Sequence, residues 1–324
     1  MVSPNETAAP FGSSPVKETH VRGKLILGLL LWAGLGLVPL QGWNQQAEGR
    51  RVSGAKLRTM TFNIRYDFKS DGENRWDQRV DLVATQIQES KAAVVCLQED
   101  KRHQVEDLQG KLKEYGFVGK GRNATGSGER CSILWNKKSM KLKSHGDFWL
   151  SDTPDVPGSN TWGDKYPRKE TWALLETKRR KKRLLVLNTH LPEGKRDHLR
   201  QKGVELIRDW VQEKLGFGAS RKKRSKQRIN LLIAGDFNTG DDTKPYETLL
   251  QDERLGLRDC WVEGKGQGAP GTYCGFKGLE TRNRIDWLLV GGAVRIYRAA
   301  SLDEQIKGRW PSDHYAVIAD LELF

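Results

Sequence analysis

The chain has 324 residues, 37% of them hydrophobic, enough to bury a sizeable core in one layered domain of ordinary size. With 34 Gly, 11 Pro and 4 Cys it is neither collagenous nor a disulfide-dense mini-protein, and a single long apolar run excludes a polytopic membrane protein. Lys and Arg number 55 against 41 Asp and Glu, and this net charge of +14 either recruits an anionic partner, nucleic acid or membrane, or forms a solvated face.

In chain order, residues 1–24 are rich in Pro, Ser, Thr and Ala and are expected to be disordered. Residues 25–43 begin with the uncharged run LILGLLLWAGLGLVPL behind Arg22 and Lys24, which reads as a signal peptide or a membrane anchor. Residues 44–56 form a linker, and the folded domain spans 57–324. The expectation is an exported or membrane-anchored protein with that domain outside the cytoplasm.

From Leu57 onward short apolar strands alternate with a few amphipathic helices. Leu57–Ile64 and Ala93–Leu97 read as strands, separated by a helix over Arg79–Ser90 with Val80, Val83, Ala84 and Ile87 on one face. Val105, Leu108 and Leu112 mark a second helix that Gly116 ends, and Leu199 to Trp210 a third. Further strands are expected at Cys131–Trp135, Thr171–Glu176, Leu184–Asn188, Ile229–Ala234, Ile285–Val290 and Tyr315–Leu323. So many strands among few helices point to one α/β domain with sheet packed on sheet and helices outside. Cys96 and Cys131 sit in apolar runs as buried thiols, while Cys260 and Cys274 flank a Gly-rich loop and can close a disulfide in an exported domain.

Polar clusters recur where the apolar strands end: Asn63 in TFNIR, Gln98-Glu99 after VVCL, Asn188-Thr189-His190 after LLVL, and Gly235-Asp236-Phe237-Asn238 after LLIA. Arg284-Ile285-Asp286-Trp287 and Ser312-Asp313-His314 follow. A lone strand-end Asp is usually a turn or helix cap, but a set this large displays reactive groups at one rim. Their chemistry is mutually consistent. Glu99, Asp313 and the Asn63 amide oxygen are hard ligands suited to Mg²⁺, with Mn²⁺ or Ca²⁺ as alternatives. Asp236 and Asn238 can position an attacking water, while His190 and His314, with Asp286 and Glu129 available to orient them, can donate to a phosphate.

In this order, TFNIR, LQE, NTH, GDFN, RIDW and SDH resemble the endonuclease/exonuclease/phosphatase superfamily over Leu57–Phe324. The resemblance implies a four-layer αββα sandwich and a divalent metal held by Asn63, Glu99 and Asp313. It also implies a water positioned by Asp236 and Asn238, and a His314 that is oriented by Asp286 and contacts the scissile phosphate. Gly128-Glu129-Arg130 is similar to a deoxyribonuclease segment whose glutamate pairs with the second histidine, here His190. Arg168 in YPRKETW resembles an arginine on substrate phosphate, and Asn188 falls in the same phosphate-binding set. The sequence departs from abasic-site endonucleases, with Arg65 where they carry aspartate. FWLSDTP, ENRWDQR and PSDH are most similar to a bacterial subgroup distantly like deadenylases.

The implied activity is metal-dependent phosphoester hydrolysis, foremost by a nuclease, endonuclease or 3′–5′ exonuclease. The alternative is a phosphatase or sphingomyelinase-type phosphodiesterase on a small-molecule or lipid phosphate. Nothing in the sequence points to an obligate protein partner. Much of the charge excess lies in residues 178–183 (KRRKKR) and 221–228 (RKKRSKQR), each just before a strand whose far end carries a site motif. Both loops are therefore expected roughly 20 Å from the catalytic rim, facing an anionic membrane surface or plain solvent.

Overall fold

Alternate residues of the central strands face two different cores, and this alternation stacks the molecule in layers. The structure is a computed structural model that describes residues 53–216, 229–278 and 281–324. One six-stranded mixed sheet comprises β1 (Ala55–Asn63), β2 (Val94–Gln98), β3 (Tyr115–Val118), β4 (Ile133–Asn136), β11 (Val294–Leu302) and β12 (Ala316–Leu323), in the order β11-β12-β1-β2-β4-β3. The other comprises β5 (Met140–Trp149), β6 (Lys169–Thr177), β7 (Arg183–His190), β8 (Ile229–Asp236), β9 (Arg258–Asp259) and β10 (Asp286–Gly291), in the order β5-β6-β7-β8-β10-β9.

Between the sheets lie Val94, Cys96, Val186, Leu232, Ala234, Leu288 and Val317, each an inward neighbour of an outward residue. Met60, Phe62, Val95 and Leu97 turn the other way, onto α1 (Trp76–Ser90) and α2 (Arg102–Lys111). Leu185, Leu187, Leu231, Ile233 and Leu289 turn outward onto α3 (Asp197–Lys214) and α4 (Lys244–Leu250). A short helix α5 (Cys260–Glu263) contributes Cys260 to the inter-sheet core. The expected αββα sandwich is the architecture found. Each fully buried Leu or Ile contributes roughly 1.5–3 kcal/mol, so these three cores carry the fold without help from the polar rim.

Helix ends follow local chemistry. Helix α1 has Asp77 in its first turn, favourable to the helix dipole, and stops at Lys91 in the left-handed conformation. In α2 the Gln104 side chain accepts from the Lys101 backbone N–H at 3.1 Å and also from Asp67, which ties the loop after β1 to this helix.

The strands absent from the sequence reading are β3, β5, β9 and β11, and these are the four sheet edges. Strands β5 and β11 each carry a register shift, at Leu142/Ser144 and Ile296/Arg298, and they alternate core residues with Lys, Arg or His. Edge strands are guarded by charge and bulges, which erases the apolar run that marks a central strand. In β3, Gly116 reads as a helix stop although it sits in the strand, facing the ring of Trp135.

All four cysteines are buried free thiols, so the Cys260–Cys274 bridge is not formed. Cys260 lies between the sheets, whereas Cys274 Sγ donates to the Ser312 carbonyl at 3.5 Å. Residues 178–182 make the β6–β7 hairpin turn, at the end of β7 opposite His190. Segments 25–43 and 221–228 lie outside the described residues. Among the described residues no helix is long and apolar enough to cross a membrane.

Candidate active site

The site forms where the inter-sheet core ends. Asn63, Gln98, His190, Asp236 and Asp286 continue the same face that Cys96, Val186, Ala234 and Leu288 occupy deeper in the sandwich. Strands β1 and β2 are parallel, as are β7 and β8, so four strand C-termini meet at one end. Register does the rest: His190 pairs with Asp236, and Asp236 pairs with Asp286 on its other side. Three polar side chains from β7, β8 and β10 therefore stand in one row, at the close spacing of cross-strand neighbours.

Asp236 is the centre of this row. Its Oδ1 accepts from the Asn238 backbone N–H at 2.9 Å, and its Oδ2 accepts from Asn63 Nδ2 at 2.9 Å. The same Oδ2 lies 3.6 Å from His190 Nε2 and 3.9 Å from His314 Nε2. Burial and the neighbouring Asp286 push the Asp236 carboxyl up to about 7. Asn238 holds a left-handed backbone, φ 52°, and donates from Nδ2 to the Leu191 carbonyl at 2.9 Å. Gly235, at φ 150°, allows the close approach of β7 at this point, because a Cβ there would meet the Thr189 carbonyl at 2.2 Å.

The two histidines differ in charge state. Burial works against the His314 cation, but Asp286 Oδ2 at 2.9 Å from Nδ1 outweighs it and raises the ring to about 10. His190 is driven well below its ordinary value, by burial first and then by the Arg168 and Arg122 guanidinium groups. At neutral pH the site thus pairs an imidazolium with a neutral imidazole. The Tyr273 ring stands edge-on to His314, centroids 5.3 Å apart.

Glu99 and Asp313 line the same cleft of about 430 Å³ as Asp236, His190 and His314. Glu99, in a left-handed backbone at φ 66°, accepts from the Tyr66 N–H at 3.0 Å and from Asn63 Nδ2 at 3.1 Å. The Asn63 amino group thus sits between two carboxylates, a position that calls for positive charge. Arg65 Nε stands 3.9 Å from Asp313. Glu99 and Asp313 offer the hard oxygen ligands that suit a divalent cation; Asn63 turns Nδ2 to the carboxylates while its Oδ1 accepts from the Arg65 N–H at 3.0 Å, so it joins that set only with its amide turned over. Asp236, Asp286 and His314 form a second grouping, with potential ligand atoms all within 4.8 Å of one another.

Three expectations are placed differently by the structure. Glu129 does not pair with His190; Arg122 takes both of its oxygens, at 2.9 and 3.0 Å. Asn188 cannot serve substrate phosphate. It is fully buried on the inter-sheet face, accepts from Gln98 at 2.7 Å and donates to the Leu97 and Ser132 carbonyls, so it stitches the two sheets together. Arg168 is also buried, paired with Asp164 at 3.2 Å and donating to the His190 carbonyl at 3.4 Å. It supports His190 from behind.

Residues for which no site role was expected complete the site. Arg65 and Tyr273 line the cleft, with Glu193 and Asn283. Arg79, fully buried, donates to the carbonyls of Ile64, Arg65, Asn74 and Pro311, binding the loop after β1 to the loop before β12. Ser312 Oγ donates to the Asn63 carbonyl at 2.7 Å, closing the same seam. Arg79 is the last residue of ENRWDQR, the one sequence signal that pointed towards it.

Residues 60–314 match the sequence model of the Endonuclease/Exonuclease/phosphatase family. The chain belongs to that family. Members of the endonuclease/exonuclease/phosphatase family are phosphoester hydrolases. Among solved family structures, the chain is similar to an endonuclease/exonuclease/phosphatase family protein from Bacteroides thetaiotaomicron, with 25% identity, TM-score 0.75, and coverage of 84% of this chain and 99% of that one. It is also similar to a mannosyl-6-phosphatase of the same organism, with 26% identity, TM-score 0.73, and coverage of 82% and 99%. An uncharacterised protein of Acanthamoeba polyphaga mimivirus is 27% identical over 183 residues, which span 54% of this chain and 63% of that protein.

Proposed function

We propose that this family member is a Mg²⁺-dependent phosphatase that acts on a compact organic phosphate such as a phosphorylated sugar or polyol. The observation that carries the reading is the cleft. It encloses about 430 Å³, the scale of a small-molecule site, and its rim mixes Arg65 with Glu193, Tyr273 and Asn283 instead of continuing into a basic track. A nucleic-acid site needs several phosphate-neutralising cations in line with the reacting centre. Here the basic β6–β7 hairpin lies at the other end of the strands. The structural neighbour that removes phosphate from a mannosyl compound supports the same reading.

Asp236, with a carboxyl near neutrality, accepts a proton from the attacking water as the new P–O bond forms and the P–O bond to the alcohol breaks, and the departing alcohol oxygen takes up a proton from the site or solvent; Asn238, which lines the cleft and fixes Asp236 Oδ1 through its backbone N–H, helps to hold that water. The His314 imidazolium, fixed through Nδ1 by Asp286, presents Nε2 to a phosphoryl oxygen and offsets its growing charge. Neutral His190 offers a hydrogen bond without adding charge, and Arg65 and Tyr273 meet the alcohol portion of the ester. Glu99, Asp313 and Asn63 would hold the metal, which when bound polarises a phosphoryl oxygen. The second grouping is better used as the base and the oriented cation, since His314 Nδ1 is already committed to Asp286 at 2.9 Å.

The test is to supply the purified chain and Mg²⁺ with hexose 6-phosphates, inositol phosphates, single-stranded RNA and plasmid DNA. The expected result is phosphate release from the small esters at a higher kcat/KM than any cleavage of polymer. Preferential cleavage of RNA or DNA would overturn the phosphatase reading in favour of a nuclease. Asp236→Asn and His314→Ala should each lower kcat by roughly 10²–10⁴ in a folded protein, and near-parental rates would remove the assigned roles.

A further inference from the structure

The end of the sandwich remote from the active site carries a groove of about 580 Å³, lined by the first residues of β1, the turn before β2, the turn before β5 and the β6–β7 hairpin. Its cations come from all four: Lys56 and Arg58, Lys91, Lys138, and Lys178 with Arg179. Arg58 is balanced by Asp320 at 2.7 Å. Among the described residues, Lys91, Lys138, Lys178 and Arg179 have no carboxylate within ion-pair distance. Glu322, the acidic group in the lining, is engaged by the Tyr297 hydroxyl and lies 3.7 Å from Arg295. Positive charge at this end is thus concentrated and uncompensated, which the hairpin sequence alone does not show, because half of it arrives from distant parts of the chain.

The groove is built, not a loose fringe of lysines. The Lys178 N–H donates to the Ser139 carbonyl at 2.8 Å and so holds the hairpin against the turn before β5. Arg180 Nη2 donates to Ser53 Oγ at 3.0 Å, pinning the start of the domain to the same hairpin. Ser53 follows the apolar run 25–43 by ten residues of sequence. Strand β7 takes seven steps from Arg183 to His190, so the groove is roughly 23 Å from the catalytic row.

We infer that this groove is a docking surface for an anionic phospholipid bilayer, seating lipid headgroup phosphates while the active site faces away from the membrane. Charge complementarity favours headgroups, and the entry of the chain at Ser53, just after an apolar run of signal or anchor type, places the cations on the side of the domain where such a segment joins it. Each cation near an anionic surface strengthens partitioning several-fold at physiological salt.

The test uses the full chain and a variant carrying Lys138→Gln, Lys178→Gln and Arg179→Gln, sedimented with phosphatidylcholine vesicles with and without phosphatidylglycerol. Both proteins should bind neutral vesicles equally, since the apolar run is common to them. The gain in binding on adding phosphatidylglycerol should fall by roughly two orders of magnitude in the variant and collapse for the parent at about 1 M salt, where charges are screened within about 3 Å. Turnover of a soluble phosphoester should be the same in both, which reports an intact fold. An undiminished gain in the variant would overturn the proposal. So would loss of single-stranded RNA binding in the variant while its vesicle binding stayed parental, because the groove would then be a nucleic-acid surface.

Discussion

At the scale of single residues, the site sets buried charge against buried charge. Asp236 and Asp286 face each other across β8 and β10, and His314 keeps that pair tolerable. Glu99 and Asp236 share the Asn63 amide N–H donors, which carry no net charge and so leave the carboxylates of the cleft suited to a cation. Mg²⁺ should therefore raise the Tm of the parent, and Glu99→Gln should shrink that rise; an equal rise in both would remove Glu99 from the metal shell. Glu170 poses a separate problem, being fully buried with only the hydroxyl of its cross-strand neighbour Thr189 beside its carboxyl. Burial raises its carboxyl well above the ordinary 4.5, so the neutral acid's contribution to stability is complete below about pH 4.5 and is lost as pH climbs through the folded-state value. Glu170→Gln should gain stability over the parent steadily from acid to alkaline pH in thermal melts, and a difference independent of pH would contradict this. Strand-end motifs made Asn63, Glu99, Asp236, His314 and Asp286 legible in the sequence. They misplaced Asn188, because a motif does not say how deep in the sandwich a residue sits. Two positions before His190 on the same face, Asn188 is already inside the sheet interface.

At the scale of elements, what was legible depended on whether a strand is buried on both faces. Central strands such as β2 and β8 are continuous apolar runs, whereas the edges β5 and β11 trade that signal for charge and bulges and the edges β3 and β9 are only four and two residues long. The loops between elements were less legible still, because much of their order comes from isolated polar side chains, Arg79 above all. Arg79 projects from α1 and holds four carbonyls that no secondary structure satisfies. Arg79→Met should cost about 3 kcal/mol or more in denaturant unfolding and lower kcat/KM by loosening the segments that carry Asn63, Arg65 and Asp313. A variant as stable and active as the parent would show that these loops order themselves.

For the whole molecule, the two proposed duties lie at opposite ends of the sandwich, hydrolysis at the strand C-termini and attachment to an anionic membrane at the hairpin end. The charge excess, compatible in sequence with nucleic acid, membrane or solvent, lies partly in a hairpin that β7 holds far from His190. No covalent link is needed to hold this arrangement, since Cys96, Cys131, Cys260 and Cys274 are separate buried thiols. Reductant should leave the Tm of the folded protein unchanged, and a clear drop on reduction would reveal a bridge that this fold does not contain.

The in-register row of His190, Asp236 and Asp286 makes the enzyme sensitive to the parity of its own sequence. One residue inserted near the middle of β8 would turn the segment beyond it over and point the acid into the α3–α4 layer; two would restore its facing but slide it about 7 Å along the strand, out of reach of both partners. Strands β7, β8 and β10 are thus closed to changes of length, while the loops beyond their ends are open to them. A lineage built on this frame can acquire new substrates by lengthening or shortening its loops, yet it cannot adjust its chemistry by degrees.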